Sequence, residues 1–139
     1  MNIKTILVAY DGSEPADQAY ASALDLASKY GAEVRVLAVA QPPEVGDEVE
    51  TEALIDNRRR HYRHIFKRLQ AAAQPGGPTV HFEVAVGHPA EQIVLHAEKL
   101  GADLILMGHR GNSLLSRWLV GSVVKQVIVH APCALMVVR

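Results

Sequence analysis

Leu104-Ile105-Leu106-Met107 is an uninterrupted apolar run, followed by Gly108-His109-Arg110-Gly111, nine further residues and then Gly121-Ser122. The stretch reads as a strand, a glycine-bearing loop and a helix start. Such a junction has a physical use. Glycine lets the backbone approach a ligand closely or take positive φ, and the unpaired amides at a helix N-terminus attract anions. Arg110 within the loop adds a charged donor and the Ser122 hydroxyl a neutral one, so the segment suits a polyphosphate. The plain alternative is that Gly108 and Gly121 merely punctuate a strand end and a helix start. Spacing leaves both readings open, and the rest of the chain must be asked for a nucleoside pocket.

Working outward, the chain repeats one pattern. Ile3 to Ala9 is β-branched and apolar and runs into Tyr10-Asp11-Gly12-Ser13, after which Ala16, Ala19, Tyr20, Ala23, Leu24, Ala27 and Tyr30 recur at helical spacing until Gly31. Val34 to Ala40 is apolar except for Arg35, as a strand covered on both faces would be. The acidic residues Glu44, Asp47, Glu48, Glu50 and Glu52 then predict a mobile connector, leading to a helix with Leu54, Ile55, Tyr62, Ile65, Phe66 and Leu69 on one stripe. Pro75-Gly76-Gly77-Pro78 breaks the chain, His81 to Val86 alternates like an edge strand, and Pro89 opens a helix that Gly101 closes. Beyond Gly121, Val123, Val124, Val127 and Ile128 have helical spacing, and Cys133 to Val138 forms a last apolar run. The pattern predicts one α/β domain over residues 1–139, an open five-stranded parallel sheet in the order 3-2-1-4-5 with helices on both faces.

Composition narrows the function. The chain has 139 residues, 49% of them hydrophobic but only 5% aromatic, which suits an Ala, Val and Leu core between closely packed helices and sheet. A net charge of −1 argues against a general nucleic-acid binder. The dense basic face at Arg58, Arg59, Arg60, Arg63, Lys67 and Arg68 closes a helix that acidic residues open, as the macrodipole prefers, and reads as a solvated surface. A lone Cys133 and no apolar leader or membrane-length segment make the cytoplasm the expected compartment. His61 and His64 share a helix face, but no third ligand lies near in sequence, so a zinc site is not expected.

In a sheet of this order ligands bind beyond the carboxyl ends of the strands, where the strand order reverses between strands one and four. Ala9-Tyr10-Asp11-Gly12-Ser13 and the loop from Gly108 to Gly121 then face each other. Asp11 can accept from ribose hydroxyls or reach a metal ion, and on spacing it serves equally as a cap or turn residue.

Val8-Ala9-Tyr10-Asp11-Gly12-Ser13, Val86-Gly87-His88-Pro89-Ala90 and Gly108-His109-Arg110-Gly111 with Gly121-Ser122-Val123 together resemble the universal stress protein family over the whole chain. The last motif matches the G-2x-G-9x-G-S/T signature of that family's ATP-binding branch. The resemblance implies a Rossmann-like adenine-nucleotide fold, usually homodimeric, acting as a regulatory module of the stress response. It puts Ala9, Tyr10 and Asp11 beside the nucleoside and Val39 against adenine, with Met107 and Gly108 near ribose and phosphates. Arg110, Gly111, Gly121, Ser122 and Val123 would hold the triphosphate. ATP is the implied ligand, with ADP or AMP as alternatives, and Mg²⁺ would come with the phosphates and take Asp11 as its ligand. The chain departs from the common form at His109, where Ser is usual, and at Ala9, where Pro or Val is frequent.

A nucleotide site is not yet an enzyme. The lysine of a GxxxxGK[S/T] loop is absent, Lys125 lies a turn into the following helix and is expected to face solvent, and no nucleophile-base arrangement stands out. No catalytic residue is assigned. The expected activity is at most slow Mg²⁺-dependent ATP hydrolysis or phosphotransfer. A receiver-type phosphorylation site would need more acidic residues after strand one than Asp11 and an Asp after strand three, where Val86-Gly87 stands. The apolar final strand, placed at a sheet edge, invites pairing with a second copy across a two-fold axis. An unidentified regulatory protein is the further partner expected.

Overall fold

The architecture is that of a computed structural model, which describes residues 1–109 and 121–139. Among the described residues, five strands alternate with four helices: β1 (Thr5–Ala9), α1 (Glu14–Tyr30), β2 (Glu33–Ala40), α2 (Glu48–Ala71), β3 (Val80–Val86), α3 (Pro89–Leu100), β4 (Leu104–Gly108), α4 (Ser122–His130) and β5 (Ala134–Val138). The strands form one sheet in the order β3-β2-β1-β4-β5, every neighbouring pair parallel, as the sequence pattern predicts. Val8 is flanked by Val36 on one side and Leu106 on the other, so the middle of β1 is covered by neighbours in the sheet plane.

Alternation along each strand sorts the core into two halves. Ile6, Val8, Val34, Val36, Leu104 and Leu106 face α1 and α2, against Ala16, Ala19, Ala23, Ile65 and Phe66. Leu7, Leu37, Ile105 and Met107 face the other way, against Ala90, Ile93 and Ala97 of α3 and Val124 and Val127 of α4. Because β1, β2 and β4 are covered on both faces, they read as nearly continuous apolar runs, whereas β3 at the edge alternates half-buried and exposed positions, with Ala85 alone fully buried.

The helix ends follow their sequence signals. Ser13 caps α1 by accepting from the Ala16 amide at 3.2 Å, and Gly31 ends the helix with φ 67°. The acidic stretch differs from expectation. Asp47 accepts from the Glu50 amide at 2.8 Å and caps α2, so Glu48, Glu50 and Glu52 belong to the helix, and Glu44 alone of the acidic residues stays in the connector. A cap with carboxylates in the first turn satisfies open amides and complements the dipole, which outweighs the mutual repulsion of the acids. β1 begins at Thr5, two residues later than the apolar run, and its entry is pinned by Asp103, whose Oδ2 accepts from the Lys4 and Thr5 amides at 2.8 and 3.0 Å. These two bonds hold the Asp103 carboxyl below the usual carboxylate range. No helix among the described residues is long and apolar enough to cross a membrane.

Candidate functional site

The carboxyl ends of β1, β2 and β4 and the start of α4 enclose a cavity of about 290 Å³ at the point where the strand order reverses. That volume lies just below the roughly 300–1,000 Å³ common for small-molecule sites. Ala9, Tyr10, Asp11, Val39, Met107, Gly108, Gly121, Ser122 and Val123, all named from sequence, line it together. Arg110 and Gly111 lie outside the described residues. Gln41, Pro89 and Ile93 also line the cavity and were not singled out as site residues. Helical spacing marks Ile93 as inward-facing, yet only the packing of α3 across the sheet brings its first turn over the strand ends.

The wall is apolar for a simple reason. Leu37, Val39, Ala9 and Met107 occupy the sheet face that looks toward α3 and α4, and beyond the last strand residues that face is not completely covered. Tyr10 continues the alternation of Ile6 and Val8 onto the opposite face of the sheet. Its ring packs on Phe66, with centroids 5.9 Å apart, its hydroxyl donates to Asp17 of α1, and its amide donates to the Leu37 carbonyl at 2.8 Å. The ring is therefore committed to the α1/α2 core. Burial, reinforced by the Asp17 hydrogen bond, pushes the phenol well above its ordinary range, so it stays neutral.

At the rim, Asp11 Oδ1 accepts from the Ser13 amide at 3.0 Å and from the Ser13 hydroxyl, while Gly12 turns the chain with φ +83°. Ser13 then caps α1, so Asp11 is a turn residue that buttresses the cap as well as a lining residue of the cavity.

The two glycines differ. A β-carbon on Gly108 would lie 2.4 Å from both the carbonyl carbon and the oxygen of Pro15, so the packing of the first turn of α1 by itself requires a glycine here, at a position that also lines the cavity. A β-carbon on Gly121 would meet nothing within 4 Å among the described residues, and Gly121 has ordinary φ −59°. It caps α4 without any side-chain bond, leaving the first-turn amides of that helix uncapped by it beside the cavity. Ser122 and Lys125 are exposed, and among the described residues no group of three or more His, Cys, Asp and Glu could hold a metal ion.

Comparison with known proteins bears on the family and the fold. A model described as the universal stress protein family matches residues 2–139. A universal stress protein of Thermus aquaticus is 38% identical over 98% of this chain and 98% of its own length, and one of Methanocaldococcus jannaschii is 35% identical over 98% of this chain and 82% of its own. The solved universal stress protein UspA of Lactobacillus plantarum superposes with a TM-score of 0.86 at 28% identity, covering 100% of this chain and 99% of that one. Two solved universal stress proteins, one in complex with cAMP and one from Archaeoglobus fulgidus in complex with dAMP, share the fold at 21% and 22% identity, with TM-scores of 0.70 and 0.65; each alignment covers 100% of this chain, and 99% and 100% of theirs. With a family model running from residue 2 to residue 139 and relatives aligned nearly end to end, this chain belongs to the universal stress protein family.

Proposed function

We propose that the cavity binds an adenine nucleotide, ATP in the first instance, and that occupancy makes the chain a nucleotide-dependent regulatory module of the stress response. The observation that carries this is one adjacency: an apolar slot walled by Val39, Ala9 and Met107 opens onto the α4 N-terminus at Gly121-Ser122, where among the described residues no side chain caps the helix. An apolar slot suits a purine face, and open helix amides suit phosphate oxygens. Gly121 strengthens the reading, since the described residues packed around it give no steric reason for a glycine there. That relatives of the same fold take cAMP and dAMP supports the choice of base.

Holding is favoured over turnover. Asp11 is the one carboxylate lining the cavity among the described residues, and its Oδ1 already accepts twice from Ser13. Mg²⁺ would arrive with the phosphates and use Asp11 as a protein ligand, with water and phosphate oxygens completing its shell. The second reading, slow Mg²⁺-dependent hydrolysis or phosphotransfer, uses the same site and the same Asp11.

The deciding experiment is to denature purified protein, identify the released nucleotide, and titrate stripped protein with ATP, ADP, AMP and cAMP by calorimetry. Binding of at least one with 1:1 stoichiometry is expected, and binding of none refutes the proposal. A second copy of the chain is proposed to pair along the β5 edge, whose Leu135, Met136 and Val137 remain partly exposed.

A further inference from the structure

His109 is the one polar or charged side chain counted as buried among the described residues, at 7% exposure, and its Nε2 is sealed from solvent without a hydrogen-bond partner among them. An unpaired buried ring nitrogen is costly, and nearly all buried polar atoms in folded proteins have a partner. The backbone explains where the ring goes. The His109 amide donates to the Val138 carbonyl at 2.8 Å, which continues the β4 pairing with β5, and alternation puts the side chain on the same face as Ile105 and Met107. It lines the cavity there. Across the sheet, Val39 on β2 and His109 at the end of β4 stand on opposite sides of β1, with His109 on the side of β5.

We infer that His109 reads phosphate: on binding, its ring turns within the cavity wall so that the Nε2–H, sealed and unpaired without ligand, donates to a phosphate oxygen of the nucleotide, and the site thereby separates nucleotides from nucleosides. This rests on the nucleotide reading of the cavity. The chemistry is matched, because phosphate oxygens only accept, and imidazole carries an N–H on one nitrogen or on both when protonated. A leucine of similar bulk would fill the same space without that donor.

The test is calorimetry on the stripped full chain with adenosine, AMP and ATP, for the wild type, His109→Leu and His109→Gln. His109→Leu is expected to lose roughly tenfold or more in affinity for AMP and ATP, as befits a hydrogen bond to a charged group, while adenosine changes by less than about twofold. His109→Gln, which returns a donor, is expected to recover most of the loss. An equal loss for adenosine and ATP, or no loss in His109→Leu, overturns the inference. Because either variant could fold poorly, the wild type supplies a second measurement in ring ¹⁵N spectra. The His109 Nε2 resonance should shift with ATP and not with adenosine, and identical responses to both also overturn it. A wild type that binds none of the three compounds refutes the nucleotide reading itself. One that binds them all, with variants that do not discriminate, refutes only the role of His109.

Discussion

Gly108 lies directly against the carbonyl group of Pro15, with room for a hydrogen but none for a β-carbon, which would sit 2.4 Å from two backbone atoms. Backbone cannot rotate away as a side chain can. Gly108→Ala is therefore expected to cost about 3 kcal/mol, the upper end of ordinary overpacking penalties, in urea denaturation. Gly121→Ala should change stability by less than about 0.5 kcal/mol, since nothing lies within 4 Å of its β-carbon among the described residues. Gly121→Val should leave the fold intact while weakening ATP binding, and wild-type affinity in that variant would remove Gly121 from the proposed site.

Asp11 joins the turn and the rim of the cavity, and two substitutions separate those roles. Asp11→Ala removes the acceptor for the Ser13 amide and is expected to cost about 1 kcal/mol, whereas Asp11→Asn keeps an acceptor oxygen and most of the stability. If Asp11 also holds Mg²⁺, both variants should lose the Mg²⁺ dependence of ATP affinity measured by calorimetry with and without EDTA. Retention of that dependence in Asp11→Asn would assign the metal to other groups.

Asp103 links acid stability to the strand entry. Its carboxyl lies below the ordinary range because the Lys4 and Thr5 amides donate to it in the folded chain. With the folded value below the unfolded one, its contribution is present above the usual Asp value of about 4 and is lost as pH falls through the depressed value. Asp103→Asn should lower the urea midpoint at pH 7 and flatten its decline on acidification. An unchanged acid limb would show that the two amide bonds add nothing in solution.

Met136 is 40% exposed at the centre of an edge strand, where a parallel sheet otherwise leaves open N–H and C=O groups. Met136→Lys should convert the proposed β5-paired dimer to monomer in sedimentation equilibrium at micromolar concentration, with the far-ultraviolet circular dichroism unchanged. A wild type that is already monomeric there would dispose of the dimer.

The elements were legible because their signals are local. The alanine stripe of α1, the glycines closing α1 and α3, the Pro-Gly break before β3 and the apolar runs of the central strands each act within a few residues, and the observed elements follow them. The acidic connector was misjudged because charge density suggests solvation, whereas a single aspartate cap turned the same acids into a favourable first turn.

The order of strands, helices and glycine loop, and with it the place where a ligand would sit, was determined by the sequence through hydrophobic period, caps and breakers. Only the tertiary structure decided that Gly108 answers to Pro15, that the Tyr10 ring turns to Asp17 and Phe66, and that the His109 nitrogen is buried in the cavity wall. Each of these depends on which side of the sheet a side chain meets and on helices packed there from elsewhere in the chain, which no short-range pattern encodes.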